Sequence, residues 1–417
     1  MWLSLLSATA LACGQTTHIW IALDAVDRLP PGPLAALAAD PALRDALVSG
    51  VMFPDGGYSP AVNHPYGEVA HWEPFQIAYA DWIRGAFPDL DAPEARLHQA
   101  FLLGLVAHGI ADQIFDSNYL YRSQRYEPEP WVAYGGADTA TDVVYAGAHG
   151  GHALADHWVP YEALVPLFAD QGVAVDVATM VAGMASLDLA VLWVGGAAAD
   201  PAQLAAQEAQ FPWANSHLDD PAIPGSPADL IGQVAAYWPA WWSRVHDGAP
   251  DRTAVTFAQW PAPPGFAHPT AVDDPGAMVS VAFTTALVRD TIEAPGAVRV
   301  TGPDGDHPVD AWMYYGEGSN VLNILPVKDW GDDASYTLTI AAGVTTIDGW
   351  QLDAPAEVAR FSTGAAPASP AAAAQGCAHA PAGPMAWLAG LAYAGRVISS
   401  RFRRSPERGS ATRSSTS

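Results

Sequence analysis

The side chains best suited to chemistry lie in Gly104-Leu-Val-Ala-His108-Gly-Ile-Ala-Asp112-Gln-Ile-Phe-Asp116. Residues four apart stand one helical turn above each other, so His108, Asp112 and Asp116 form a polar stripe on an otherwise apolar helix. A buried imidazole beside carboxylates needs partners or a cation. A metal ion meets that need, because histidine nitrogen and carboxylate oxygen are ordinary Zn²⁺ ligands at about 2.0–2.2 Å. For a lone His-x-x-x-Asp, a structural His/Asp hydrogen-bond pair is the plainer reading. Three further segments shift the balance: Cys13-Gly-Gln-Thr-Thr-His18 at a helix start, Gly50-Val-Met-Phe-Pro-Asp55 with a carboxylate after an apolar turn, and Ala70-His71-Trp-Glu-Pro-Phe75 with a His beside aromatics. A helix continuing from Asp142 to Asp156 would bring Asp138, Asp142, His149, His152 and Asp156 to one face, although Gly150-Gly151 argues against an unbroken helix. His64, His98, His217 and His246 read as structural or exposed.

These groups must be positioned by helices. From about Thr17 to Val245 the chain is rich in Ala, Leu and Trp with helical apolar spacing, as at Ala100, Leu103, Leu105 and Val106. From about His268 to Gly364 the texture changes to short β-rich runs at Met278–Phe283, Ala297–Val300, Ala311–Tyr315, Val321–Leu325, Tyr336–Ile340 and Val358–Ser362. Turns such as Pro303-Asp304-Gly305 separate them at the spacing of a β-sandwich. The expected fold is therefore multi-domain, an all-α domain over 13–250 followed by an all-β, immunoglobulin-like sandwich over 268–364. The latter resembles the bacterial immunoglobulin-like modules of surface proteins through its Tyr336-Thr-Leu-Thr-Ile, Asp348-Gly349 and Phe361-Ser-Thr-Gly ending. A Pro-rich linker, 251–267, joins the two domains. Trp158, Trp213, Trp238, Trp241 and Trp242 read as core more readily than as a lipid-facing surface.

The ends read as addresses. Met1 to Ala12 is an apolar run closing on Ala10-Leu11-Ala12, the small-x-small pattern of a signal peptide (1–12), and cleavage there makes Cys13 the N-terminus. After an Ala/Pro linker (365–376), residues 377–404 hold Cys377, the apolar segment Met385–Gly395 and an Arg cluster. That order resembles the C-terminal sorting signals of myxobacterial surface proteins, a membrane anchor followed by a disordered tail, 405–417. Both cysteines lie beside processing signals and are poor candidates for a structural disulfide. The chain carries 18 Lys plus Arg against 44 Asp plus Glu, a net charge of −26, with half its 417 residues hydrophobic. From Arg396 onward there are six Arg and one Glu, so residues 1–395 carry a net −31. The apolar fraction and 16 Trp exclude a disordered chain, and the deficit of positive charge argues against nucleic acid as a partner. The expected location is outside the cytoplasm: cell surface, outer membrane or extracellular space.

In their order and spacing, Cys-Gly-x-x-Thr-His, Phe-Pro-Asp, Ala-His-Trp-x-Pro-Phe and Gly-x-x-x-His-x-x-x-Asp resemble the zinc-dependent phospholipase C family, nearest to its glycosylphosphatidylinositol-specific phospholipase D branch. The resemblance spans residues 13–116. It implies a metal site of Asp55, His71, His108 and Asp112, with Asp112 bridging to a second metal held by His18 and the free α-amine of Cys13. The family's third site has a His after this pair, then a His and an acidic residue four apart. Here Asp116 takes the first place, and Asp138 and Asp142 stand as candidates for the others, a set suited to a harder ion than Zn²⁺ or to no ion. The implied cofactor is two or three Zn²⁺. The implied activity is hydrolysis of a phosphodiester, in a phospholipid at a membrane surface, by metal-activated water that Asp55 orients or deprotonates. Two alternatives remain open, a single-strand nuclease on the same cluster and a catalytically degenerate, metal-stabilised surface protein.

Overall fold

The computed structural model describes residues 14–128, 134–153, 156–248, 276, 278–315 and 318–363. The expected signal peptide, Cys13, the linkers 251–267 and 365–376, Cys377 and the C-terminal segments lie outside the described residues. The first part is helical: α1 (Gln15–Val26), α2 (Pro33–Ala38), α3 (Arg44–Gly56), α4 (Tyr66–Ala70), α5 (Glu73–Ala86), α6 (Pro93–Ile114), α7 (Tyr121–Tyr126), α8 (Tyr134–His149), α9 (Tyr161–Asp170), α10 (Val177–Ala199), α11 (Pro201–Gln210), α12 (Pro212–His217) and α13 (Pro227–Asp247). Proline opens several of these at the first turn, where its missing N–H has no intrahelical role. Asp176, Asp200 and Ser226 cap α10, α11 and α13 through backbone N–H groups of the first turn.

The centre is α6, buried on every face from His98 to Ile114. A helix buried all round carries apolar residues all round, so His108 and Asp112 stand in a largely water-free interior. α3 crosses α6 at Gly50 and Gly104. A Cβ on Gly50 would lie 2.0 Å from the Phe101 carbonyl oxygen, and one on Gly104 would lie 2.1 Å from that of Leu47. No larger residue permits this backbone approach, and it brings the C-terminus of α3 alongside the second half of α6. α13 closes the other side, with Trp238 fully buried and its indole N–H donating to the Leu103 carbonyl at 2.9 Å. Trp241 is buried as well, and Trp158, Trp213 and Trp242 pack half-buried against the same core. α10 is long and apolar enough to cross a membrane by length and composition, but one face of it is in the core while Val181, Leu189 and Leu192 are exposed.

The second part holds two antiparallel sheets. β1 (Val279–Ala282), β5 (Val321–Pro326) and β4 (Val309–Met313) form one, in the order β1-β5-β4; β3 (Gly305–His307), β2 (Val298–Gly302), β6 (Ser335–Ile340) and β7 (Ala356–Ser362) form the other, in the order β3-β2-β6-β7. A shared core that includes Val281, Leu322, Ile324, Val300, Leu338 and Phe361 fills the space they enclose. The six expected β runs all carry strands; β3 and the short helix Arg289–Ile292 are additions. β3 returns through Pro303-Asp304-Gly305, with Gly305 at φ +101, a backbone region open to glycine.

The two parts pack together. Ala282 and Val321 belong to the helical core, and Arg244 of α13 pairs with Asp348 at 2.7 Å. Glu73, at the first turn of α5, accepts from Tyr237 Oη at 2.6 Å, from the Ala286 N–H at 2.8 Å and from Asn320 Nδ2. Gln113 Oε1 accepts from the Asn320 N–H at 2.7 Å and Ser319 Oγ at 3.0 Å.

Candidate metal centre

Four side chains from three separate stretches meet beside the crossing of α3 and α6. Asp55 ends α3, His71 follows α4, and His108 and Asp112 are one turn apart on α6; all four are buried, with one ligand atom of each within 4.8 Å of the others. His71 Nε2 lies 3.5 Å from Asp55 Oδ1, 3.3 Å from Asp112 Oδ2 and 3.0 Å from His108 Nε2. His108 Nε2 lies 3.7 Å from Asp55 Oδ1 and 3.4 Å from Asp112 Oδ2. A tetrahedron with metal bonds of about 2.0–2.2 Å has ligand–ligand edges of about 3.3–3.6 Å. The observed separations bracket those edges, so the four atoms can hold a metal ion.

The surroundings support ligation. His71 Nδ1–H donates to the Gly67 carbonyl at 2.5 Å, so that when the ring is neutral its lone pair is on Nε2, the nitrogen that faces the cluster. Gln76 Nε2 holds the His71 carbonyl at 3.0 Å. Asp55 Oδ2 accepts from Gln15 Nε2, while Asp55 Oδ1, which faces both imidazoles, has no hydrogen bond. Burial opposes a charge on His71, but its bonds to Asp112 and Asp55 outweigh that and raise its pKa to about 10. Burial and the neighbouring His18 keep His108 below the usual histidine range. Asp112 is held well below the usual carboxylate range: burial opposes this, and His108 and His18 prevail.

His18, on the first turn of α1, extends the group. Its Nε2 lies 2.8 Å from Asp112 Oδ1, and its ring stacks on His108 at 4.1 Å. Asp112 thus faces the four-residue site with one oxygen and His18 with the other. Cys13 lies outside the described residues.

The remaining expected carboxylates divide. Asp138 on α8 is 1% exposed and neither of its oxygens has a hydrogen-bond partner. Burial, then the charges of Asp116 and Asp112, push its pKa well above the usual value. Asp116 sits where α6 passes into a wider π-helical stretch, Phe115–Leu120, of a kind often found at functional sites. Its Oδ2 accepts from Tyr314 Oη of the β part and its Oδ1 has no partner; burial and Asp112 raise its pKa to about 7. Asp142 instead caps α1. Its Oδ1 accepts from Thr17 N at 2.7 Å and Thr17 Oγ1 at 2.8 Å, and its Oδ2 from Thr16 N at 3.3 Å. Burial nevertheless raises its pKa to about 6. The Asp142 side chain runs so close to Gly14 that a Cβ there would lie 2.3 Å from it, which explains the glycine after Cys13.

The competing arrangement, a helix running on from Asp142 to Asp156, does not form, as Gly150-Gly151 suggested: α8 ends at His149, because Gly150 takes φ +95 and leaves the helical path. His149 pairs with Asp219 at 2.7 Å, His152 packs against Trp20, and Asp156 is exposed. Sequence reasoning missed Gln15, Glu73, Gln113 and Tyr314. Glu73 and Gln15 stand inside the informative motifs, at positions where the motif allows any residue. Tyr314 is some two hundred positions from its partner, and nothing local marks it.

No family model matches the chain. Over 116 residues, 26% of the chain, it is 31% identical to phosphatidylinositol-glycan-specific phospholipase D of Mus musculus, and it spans 14% of that curated relative's length. Solved structures that match include the S-layer protein SbsC, 10% identical over 85% of this chain and 46% of that one with a TM-score of 0.19, and the N-terminal part of SbsC, 10% identical over 78% of each chain with a TM-score of 0.20. Likeness at that level fixes neither fold nor role. The buried cluster is compatible with metal binding, and the similarity to a phospholipase D is partial.

Proposed function

We propose that the chain is an exported, metal-dependent phosphodiesterase of the zinc phospholipase C/D type, acting on a phospholipid at a membrane surface. The observation that carries this reading is the convergence of one ligand atom each of Asp55, His71, His108 and Asp112 within 4.8 Å of one another, all four residues buried. It is supported by the partial similarity to a phospholipase D. These four residues, and His18 with Asp112, would hold divalent zinc, which would supply a Lewis acid for phosphoryl oxygens and a water of lowered pKa. Asp55 is steadied on one oxygen by Gln15 and serves as the carboxylate that orients the attacking water or takes its proton. Gly67 keeps His71 in the ligating tautomer. The buried walls of α3 and α6 exclude bulk water and strengthen each of these electrostatic contacts. On this reading the helical part has the zinc-phospholipase fold and the two sheets are an immunoglobulin-like sandwich appended to it.

A second reading is favoured by one specific observation. Asp142, a candidate for the third site, has both oxygens committed to the N-terminus of α1, which fits a metal-stabilised surface protein with an incomplete third site. Metal analysis of the purified protein, with assays on phosphatidylcholine, a glycosylphosphatidylinositol and single-stranded DNA, separates the readings. Turnover of a lipid with bound zinc is expected. Bound metal without turnover of any of the three would replace the hydrolase with the surface protein, and turnover of DNA alone would make it a nuclease.

A further inference from the structure

We propose that Tyr314, carried by the β part, is a positioning residue of the metal centre: its phenol holds one oxygen of Asp116 and leaves the other available to a cation in the acidic group formed with Asp112 and Asp138. This rests on the metal-centre reading and not on phosphodiester cleavage. Tyr314 Oη donates to Asp116 Oδ2, Asp116 Oδ1 is buried without a partner, and both oxygens of the buried Asp138 are equally bare. Unpaired carboxylate oxygens out of water are costly, and a cation is the ligand that their charge and donor type call for.

The tyrosine is rigidly presented. Its own N–H donates to the Val321 carbonyl at 2.7 Å, closing the end of the β4–β5 pair. On one side Tyr315 lies parallel to Trp72, with ring centroids 4.6 Å apart and planes 3° from parallel, and Trp72 is the residue after His71. On the other, Ser319 and Asn320 bind Gln113, the residue after Asp112. The β part therefore grips the helical part beside two of the four clustered residues and sets Tyr314 between those grips. A module needed only for adhesion has no reason to place a hydroxyl on a carboxylate of this group. Tyr314 is not one of the four clustered residues; its role is exercised through Asp116.

The test is a Co²⁺ titration of the metal-free, full-length protein and its Tyr314→Phe, Asp116→Asn and doubly substituted variants, followed by visible absorption and by metal analysis. The wild type is expected to fill in phases, the first with the intense absorption of a tetrahedral two-imidazole, two-carboxylate site. Tyr314→Phe should leave that first spectrum unchanged and weaken a later phase about 10- to 100-fold, the usual effect of removing a group that orients a ligand. The double variant should lose no more than Asp116→Asn alone. An unchanged later phase, additive losses, a wild type with one phase only, or loss of all phases together with the circular dichroism signal of the fold would each overturn the assignment. Lipid hydrolysis measured on the same samples keeps the two readings apart: two metal phases without turnover remove the hydrolase and leave the role of Tyr314 standing.

Discussion

Glu73 and Asp138 are both buried carboxylates, 2% and 1% exposed, and in both burial is the largest influence, raising the pKa. Their surroundings differ. Glu73 receives a phenol, a backbone N–H and a side-chain amide from three separate stretches of the chain, so the chain itself satisfies it and the two parts of the molecule are joined there. Asp138 receives none, and its charged neighbours are other carboxylates. A fold able to surround one acid with donors has left another bare next to a His/Asp cluster. The contrast separates an acid that serves assembly from one that awaits a cation, because a buried charge must be compensated by the chain or by a ligand.

The largest expected effect is at Asp112, which faces both the cluster and His18. Asp112→Asn should lower metal affinity and any hydrolysis by more than about 100-fold, the upper end for groups that merely support a ligand; full metal content with undiminished activity would break the assignment. Next is the pair that defines the contrast. In metal-free protein, Glu73→Gln should cost about 2–4 kcal/mol in denaturant unfolding, since it sets an amide donor against existing donors, whereas Asp138→Asn should be neutral or stabilising. Equal losses at the two positions would erase the distinction.

Proton release sharpens it further. Without metal, His71 keeps its proton up to pH about 10 and Asp116 up to about 7, while Asp138 is also held protonated above the usual range. Ligating groups must be deprotonated, so metal uptake at pH 7 should expel protons, that of His71 among them. Metal affinity should weaken as pH falls, and the His71 share of the release should vanish as pH rises through 10. Calorimetry in buffers of different ionisation enthalpy measures this, and a proton-neutral uptake at pH 7 would contradict the site. The smallest effect belongs to His149, already paired with Asp219 at the surface. His149→Ala should leave metal content unchanged and stability within about 0.5 kcal/mol, and a loss of metal there would return the competing face of α8 to the centre.

Much of this was legible locally. The stripe His108, Asp112 and Asp116, the acid after Phe53-Pro54 and the His before Trp72 carry their chemistry in residue type and short-range spacing. The β runs show as well, since alternation and turn residues are local signals. The π-helical stretch at Phe115–Leu120 was not legible, because the local sequence is compatible with ordinary helix. Nor was the division of the acids: Asp138 and Asp142 lie one turn apart on α8, yet one is bare and the other caps α1.

By itself the sequence determined which groups can ligate and that helices precede strands, because donor chemistry and periodicity belong to neighbouring residues. The tertiary structure alone decided that the Gly50–Gly104 crossing brings Asp55 to His108, that Asp142 turns to α1, and that the β part reaches Glu73, Gln113 and Asp116. Those outcomes depend on which backbones approach closely enough to pair. Burial then decides which polar groups find a partner in the chain and which are left for an ion.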